Sequence, residues 1–178
     1  VTYSGALEEK NITPNQQIDV SRGSIDVAGH VFTDSHKIGT VSYMDAFAVS
    51  SNVGAIKTGL KLGKDNFFGY ARKFGFGGTT GVELPGEARG IIRSPESWSG
   101  DSLASMSICY EIGVTALQSA SAFAIIANDG IKVKPHIIKE IRLADGKVFS
   151  TTETEKVQIV SPETARSMRQ KMQKVVLS

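Results

Sequence analysis

One cysteine, Cys109, stands in 178 residues, so no internal disulfide can form. Within the apolar run ASMSICYEIG it reads as a buried, inert thiol. The three histidines, His30, His36 and His136, include no pair at the spacing that puts two metal ligands on one helix face. No metal and no cofactor is expected. No apolar stretch approaches the roughly 20 residues that span a bilayer, and VTYSGALEEK has neither the basic start nor the apolar core of a signal peptide. This segment is therefore not expected to touch a membrane. A strong charge imbalance is also lacking. Twenty basic and eighteen acidic residues give +2, which argues against a nucleic-acid partner. The mild basic cluster of Arg166, Arg169, Lys171 and Lys174 suits a solvated helix face near a C-terminus. What remains is an ordinary globular composition, 40% hydrophobic and 21% charged, one domain's worth of chain or a large piece of one.

The residue pattern predicts a mainly helical chain. Residues 1–10 read as the end of a helix, stopped by Asn11 and Pro14. From Ile18 to Phe32 the short apolar spacing and the glycines predict a loop with brief extended pieces. Ser42, with Asp45 three residues on, caps a helix that carries Phe47, Ala48 and Val49 toward Ser50. Val53, Ile56 and Leu60 mark a second helix ending at Gly63, and Phe67, Phe68, Ala71 and Phe74 a third ending at Gly75. TALQSASAFAIIAN, almost free of charge, predicts a helix buried nearly all round. Asp145-Gly146 marks a two-residue hairpin turn. Ser161-Pro162 opens an amphipathic helix with Ala165, Met168, Met172 and Val175 on its apolar face.

Three short motifs invite chemistry. Ser50-Ser51-Asn52 lies between two helical patterns, where a hydroxyl and an amide ordinarily just cap the next helix. Gly75-Phe76-Gly77-Gly78 follows a helix and opens none, so it reads as a loop with positive backbone angles rather than a dinucleotide site. Lys57-Thr58-Gly59 falls inside a helical run and reads as a coincidence of letters. Trp98 reads as a packing residue.

Four segments taken together go further: SSNVGAIKTGLKLG, FFGYARKFGFGGTTGVELPGEARG, ASMSICYEIGVTALQSASAFAIIANDG and IVSPETARSMRQKM. In this order they resemble successive landmarks of the class B penicillin-binding protein transpeptidase domain, and YSGALEEKNITPNQQIDV resembles the stretch after its nucleophile helix. The family signature combines Ser-x-x-Lys, a Ser-x-Asn element and Lys-Thr-Gly. Here Ser50-Ser51-Asn52 matches the second, no serine is followed by lysine at the third position, and no Lys-Thr-Gly lies in a strand-like segment.

The resemblance implies an α+β fold, predominantly helical, amounting to the helical subdomain of the penicillin-binding transpeptidase and serine β-lactamase-like fold with most of its central sheet missing. It implies a partial domain: residues 1–41 a loop-rich segment after the nucleophile, 42–130 the helical subdomain, 131–160 a hairpin, and 161–178 a helix leading toward the sheet. The implied activity is a serine-type D,D-transpeptidase that cross-links peptidoglycan stem peptides and binds β-lactams. Ser50 and Asn52 would be catalytic, and Tyr110 and Glu111 would contact substrate. Cys109-Tyr110-Glu111 departs from the glycine-tyrosine-glycine-like turn usual there, and Ala116 stands where a proline is usual. Further expectations are a place on the outer side of the bacterial cytoplasmic membrane, a parent anchored by an N-terminal helix outside this chain, and cell-division or elongation proteins as partners. The isolated chain would be inactive and would tend to dimerise or swap through uncovered apolar surface. Two alternatives stay open: a non-catalytic module of the same fold, and a β-lactam sensor or serine β-lactamase.

Overall fold

A computed structural model describes residues 1–177. Its centre is α3 (Asn52–Leu62), which packs against α1 (Thr2–Glu8) and α5 (Ser102–Ser107). α3 forms where predicted because Ser51 accepts the Gly54 N–H at 2.9 Å as N-cap, and Gly63, at φ 81°, ends it. Val53, Ile56 and Leu62 are buried, while Leu60 turns outward. The Lys57-Thr58-Gly59 run is indeed helical. The Thr58 hydroxyl bonds back to the Gly54 carbonyl at 2.7 Å, and a Cβ on Gly59 would lie 1.9 Å from Ser107 Oγ. The glycine is there to let two helices touch.

α2 (Tyr43–Ala48) precedes α3 and is capped by Ser42 as expected, with Asp45 N–H donating to Ser42 Oγ at 3.0 Å. α4 (Lys64–Lys73) contributes Phe67 and Tyr70 to the core, with Phe74 just beyond it. Burying each phenylalanine ring is worth about 1.5–3 kcal/mol. Trp98, after a short 3-10 turn at Pro95–Ser97, packs edge-on against Phe67 and Phe68. The glycine-rich loop does use positive angles, at Gly75 and Gly77.

The strands form only two-stranded pairs among the described residues: β1 (Gln17–Asp19) with β4 (Thr40–Ser42), β2 (Ser24–Val27) with β3 (His30–Thr33), β5 (Ile131–Val133) with β8 (Lys156–Gln158), and β6 (Glu140–Arg142) with β7 (Val148–Thr151). The last pair is the predicted hairpin, but its turn differs. Gly146 N–H bonds to the Leu143 carbonyl and Leu143 N–H to the Lys147 carbonyl, each at 2.9 Å. Only Gly146 has positive φ. Two residues at positive φ would be needed for the tight type I′ turn, and Asp145 does not adopt it, so the loop closes with three residues and a bulge.

α6 (Ala116–Ala127) starts on a capping box between Thr115 and Gln118. The expectation of burial all round is overturned: Ala116, Ala120, Phe123, Ala124 and Ala127 are exposed. Alanine-rich composition leaves a helix free to be buried but does not force it; Gln118, Ile125 and Ile126 alone are fully buried.

α7 (Pro162–Leu177) buries Ala165 and Met168 as predicted. Its basic residues do more than face water. Arg169 donates to the Ile126 carbonyl and to Asp129, and Lys171 donates to Asp45 at 3.0 Å. At its start Glu8 Oε2 accepts both the N–H and the hydroxyl of Ser161 at 2.9 Å. Burial raises the Glu8 pKa, but hydrogen bonds from Thr164 and Ser161 outweigh it and the net shift is downward. The Ser42 hydroxyl and then Lys171 lower that of Asp45. Carboxyls with depressed folded pKa values stabilise above their unfolded values, 4.5 and 3.8, and lose that stabilisation as pH falls through the folded ones. The thermal midpoint should therefore fall as pH drops below about 4.5, and Glu8→Gln should flatten that dependence in pH-resolved melting curves. Among the described residues no helix is long and apolar enough to cross a membrane.

Candidate active-site cleft

Between α1, α2, α5, α6 and α7 lies an open, mainly apolar cleft of about 900 Å³. Phe47, Phe123 and Met168 supply apolar wall, and Ser50, Asn52 and Cys109 supply polar groups.

Ser50 owes its position to the end of α2. Ser50 N–H bonds to the Phe47 carbonyl at 3.0 Å and Ser51 N–H to the Ala46 carbonyl at 2.9 Å. This paired closure puts the residue between them in the left-handed region, normally a glycine position, and Ser50 has φ 55°. Its side chain is exposed. A serine held where glycine is cheaper retains a hydroxyl at some backbone cost.

Asn52 begins α3, and its Nδ2 donates to the Thr33 carbonyl at 2.8 Å. That bond sets the amide orientation and leaves Oδ1 and the second N–H for other partners. Ser51 between them is buried and structural, its hydroxyl donating to Asp34 Oδ2 at 2.8 Å. Asp34 Oδ1 accepts the Val53 N–H at 2.9 Å. The strand end at Thr33-Asp34 thus clamps the Ser-Ser-Asn turn from outside. Sequence reading missed Asp34, because nothing in residues 33–35 distinguishes it from an ordinary turn acid.

The structure brings Ser50 and Asn52 together but sets the other two expected residues apart. Tyr110 is 65% exposed and is not part of the cleft lining. Glu111 is likewise outside the lining: it accepts from Ser102 Oγ at 2.9 Å and pairs with Arg93. Both follow Cys109, where the end of α5 repeats the geometry of α2. Cys109 N–H bonds to Met106 O, Tyr110 N–H to Ser105 O, and Cys109 has φ 69°. The expected buried thiol is therefore wrong. Cys109 is exposed and lines the cleft, because this helix closure turns its side chain away from the apolar run before it. Ellman's reagent should titrate one thiol per chain without denaturant.

Gln118 was also missed. Fully buried, its Nε2 donates to the Gly78 carbonyl at 2.7 Å and the Arg89 carbonyl at 2.8 Å, while its Oε1 accepts the Thr115 N–H at 2.9 Å. It ties the long glycine-rich loop to α6. Among the described residues no group of three or more metal-ligating side chains is assembled.

The family model of the penicillin binding protein transpeptidase domain matches residues 1–178. The chain belongs to the penicillin-binding protein transpeptidase family. Penicillin-binding protein PbpB of Mycolicibacterium smegmatis is 36% identical over 178 residues, which is 99% of this chain and 27% of that protein. The probable peptidoglycan D,D-transpeptidase PbpC of Pseudomonas aeruginosa is 28% identical, covering 98% of this chain and 29% of its own length. Penicillin-binding protein 3 of Mycobacterium tuberculosis, solved with aztreonam, superposes with a TM-score of 0.90 at 32% identity, over 98% of this chain and 39% of that one. The chain thus spans between a quarter and a third of these curated relatives, and its fold is a helix-rich part of the class B transpeptidase domain.

Proposed function

We propose that residues 1–178 form the Ser-x-Asn wall of the active site of a peptidoglycan D,D-transpeptidase working through a serine acyl-enzyme. The observation that carries this reading is the pairing of Ser50 and Asn52 at the α2–α3 junction, both on the cleft, in a chain of the transpeptidase family. In the complete site a nucleophilic serine attacks the bond between two terminal D-alanines, the last of which leaves, and an amine from a neighbouring strand resolves the acyl-enzyme. A serine hydroxyl needs a base within hydrogen-bond reach, and the lysine of the Ser-x-x-Lys element would supply it. The Ser50 hydroxyl, both donor and acceptor, relays the proton between that lysine and the leaving or attacking nitrogen. Asn52 orients the donor peptide through its remaining amide capacity.

Neither Ser-x-x-Lys nor a strand-borne Lys-Thr-Gly occurs among these 178 residues, so the chain by itself is expected to be inactive. Stem peptides and β-lactams are the ligands of the complete protein, which acts in the cell envelope, with division or elongation proteins as its partners. Tyr110 and Glu111, just outside the cleft, would shape its rim rather than contact the reacting bond. The test is intact mass after incubation with a β-lactam, on this chain and on a longer protein carrying both missing elements. An adduct on the longer protein alone supports the reading. An adduct on neither points to a non-catalytic member of the fold, and one on the 178-residue chain would mean that the nucleophile lies within it.

A further inference from the structure

We propose that Asp34 is a positioning residue for the Ser50/Asn52 pair, holding both through Ser51 and the first turn of α3; this rests on the transpeptidase reading above. Ser51 is the N-cap of α3, Asn52 its first residue and Val53 its second. The first N–H groups of a helix have no partner within it. Here the Gly54 N–H goes to Ser51 Oγ, and the Val53 N–H goes to Asp34 Oδ1. Asp34 Oδ2 accepts a hydrogen bond from that same Ser51 hydroxyl, 17 residues away in sequence. One carboxylate therefore supports both the cap and the helix start, at the positive end of the helix dipole.

The support is itself rigid. Phe32, two residues before Asp34, is buried against Ile56 of α3 and Ala104 of α5. His30 stacks on Phe32 at 4.4 Å and its Nδ1 lies 3.1 Å from Asp101 Oδ2. Thr33 fixes the Asn52 amide through its carbonyl. So β3 is anchored to the helices and delivers two adjacent residues to the motif. Ser50 and Asn52 flank Ser51 by one residue each, and movement of Ser51 moves both at once. Ser50 is the more vulnerable, since its left-handed backbone is held by the bonds on either side of it.

The chemistry needs a carboxylate rather than any polar group. Asparagine keeps one acceptor oxygen but presents an N–H₂ to the second contact, where a donor already points. Alanine loses both. Displacing reacting groups by about 1 Å can cost on the order of 100-fold in rate.

The experiment uses the complete protein that contains this chain, with stopped-flow acylation by a chromogenic cephalosporin to separate the binding constant from the acylation rate constant. Asp34→Asn is expected to lower the acylation rate constant by roughly 10-fold and Asp34→Ala by roughly 100-fold, with the binding constant changed less than about threefold. Ser51→Ala combined with Asp34→Ala should cost less than the product of the two single losses, because both act through one contact. Glu8→Gln, which removes a contact between two residues that are not part of the cleft lining, Glu8 and Ser161, should lower the melting temperature but leave acylation unchanged. An acylation constant for folded Asp34→Ala within threefold of the parent overturns the proposal, as does an equal loss in Glu8→Gln. Amide exchange at Val53 and Gly54 gives an independent readout: it should accelerate in Asp34→Ala while that of Leu62 does not. If the parent protein is not acylated at all, the transpeptidase reading falls, and unchanged exchange at Val53 would separately refute the clamp.

Discussion

Ser50→Ala, made in a protein that carries all three family elements, is expected to slow acylation by a β-lactam by 100- to 1,000-fold while leaving the fold intact. Positioned proton transfer contributes roughly 10²–10⁴ in rate, and the lower part of that range fits a hydroxyl that relays a proton rather than serving as the base. The substitution has a structural check built into it. Ser50 sits at φ 55°, where alanine gains nothing over serine, and its backbone hydrogen bonds do not use the side chain. Ser50→Gly would relieve the left-handed strain and raise the melting temperature while losing the same hydroxyl. If both variants lose acylation while one becomes more stable, the loss belongs to the hydroxyl. Retention of more than about a third of the rate in either variant would remove Ser50 from the mechanism. Acylation can be followed by stopped-flow, stability by thermal melting.

The largest stability effect is expected at Gln118. Gln118→Leu keeps roughly the same volume but strips partners from the Gly78 and Arg89 carbonyls and from the Thr115 N–H. Leaving a buried polar group unpaired costs about 1–3 kcal/mol, and relaxation of the loop toward water recovers part of it, so about 3 kcal/mol in total is the expected loss. The space is also tight. A Cβ on Gly90 would come 2.7 Å from Gln118 Oε1, so the loop packs closely on the amide. Denaturant titration should show the lower midpoint, and limited proteolysis should cut first between residues 76 and 90. A stability loss under about 1 kcal/mol, taken as the midpoint shift times the denaturant slope, would mean that the loop is held by something else. The Cys109 thiol titration and the acid dependence involving Glu8 and Asp45 probe two further regions of the same helical frame.

Local signals explain why much of the architecture could be read directly. The Ser42, Ser51 and Ser161-Pro162 starts of α2, α3 and α7 are each marked by residues next to the helix they begin, and all three helices form where those residues stand. The helical nature of Lys57-Thr58-Gly59 followed from its neighbours. The misjudged features depend on groups distant in the chain or on the side a helix end turns toward. α6 had the composition of a buried helix, yet composition does not say which neighbours cover it. Cys109 lay in an apolar run, but the closure of α5 swung it out.

The sequence by itself determined where α2, α3, α6 and α7 begin, that no internal disulfide is possible, and which residues carry the Ser-x-Asn pattern; α5 it did not mark. These depend on periodicity, caps and residue type, all local. Only the tertiary structure decided that Ser50, Asn52 and Cys109 share one cleft, that Tyr110 and Glu111 stand outside it, and that Asp34 and Gln118 hold its parts in place. Asp34 meets Ser51 across 17 residues, and Gln118 meets Gly78 across 40. Hydrogen bonds over such separations leave no periodic trace in the chain, because they are made by packing β3 on α3 and a loop on α6 rather than by any pattern along the backbone.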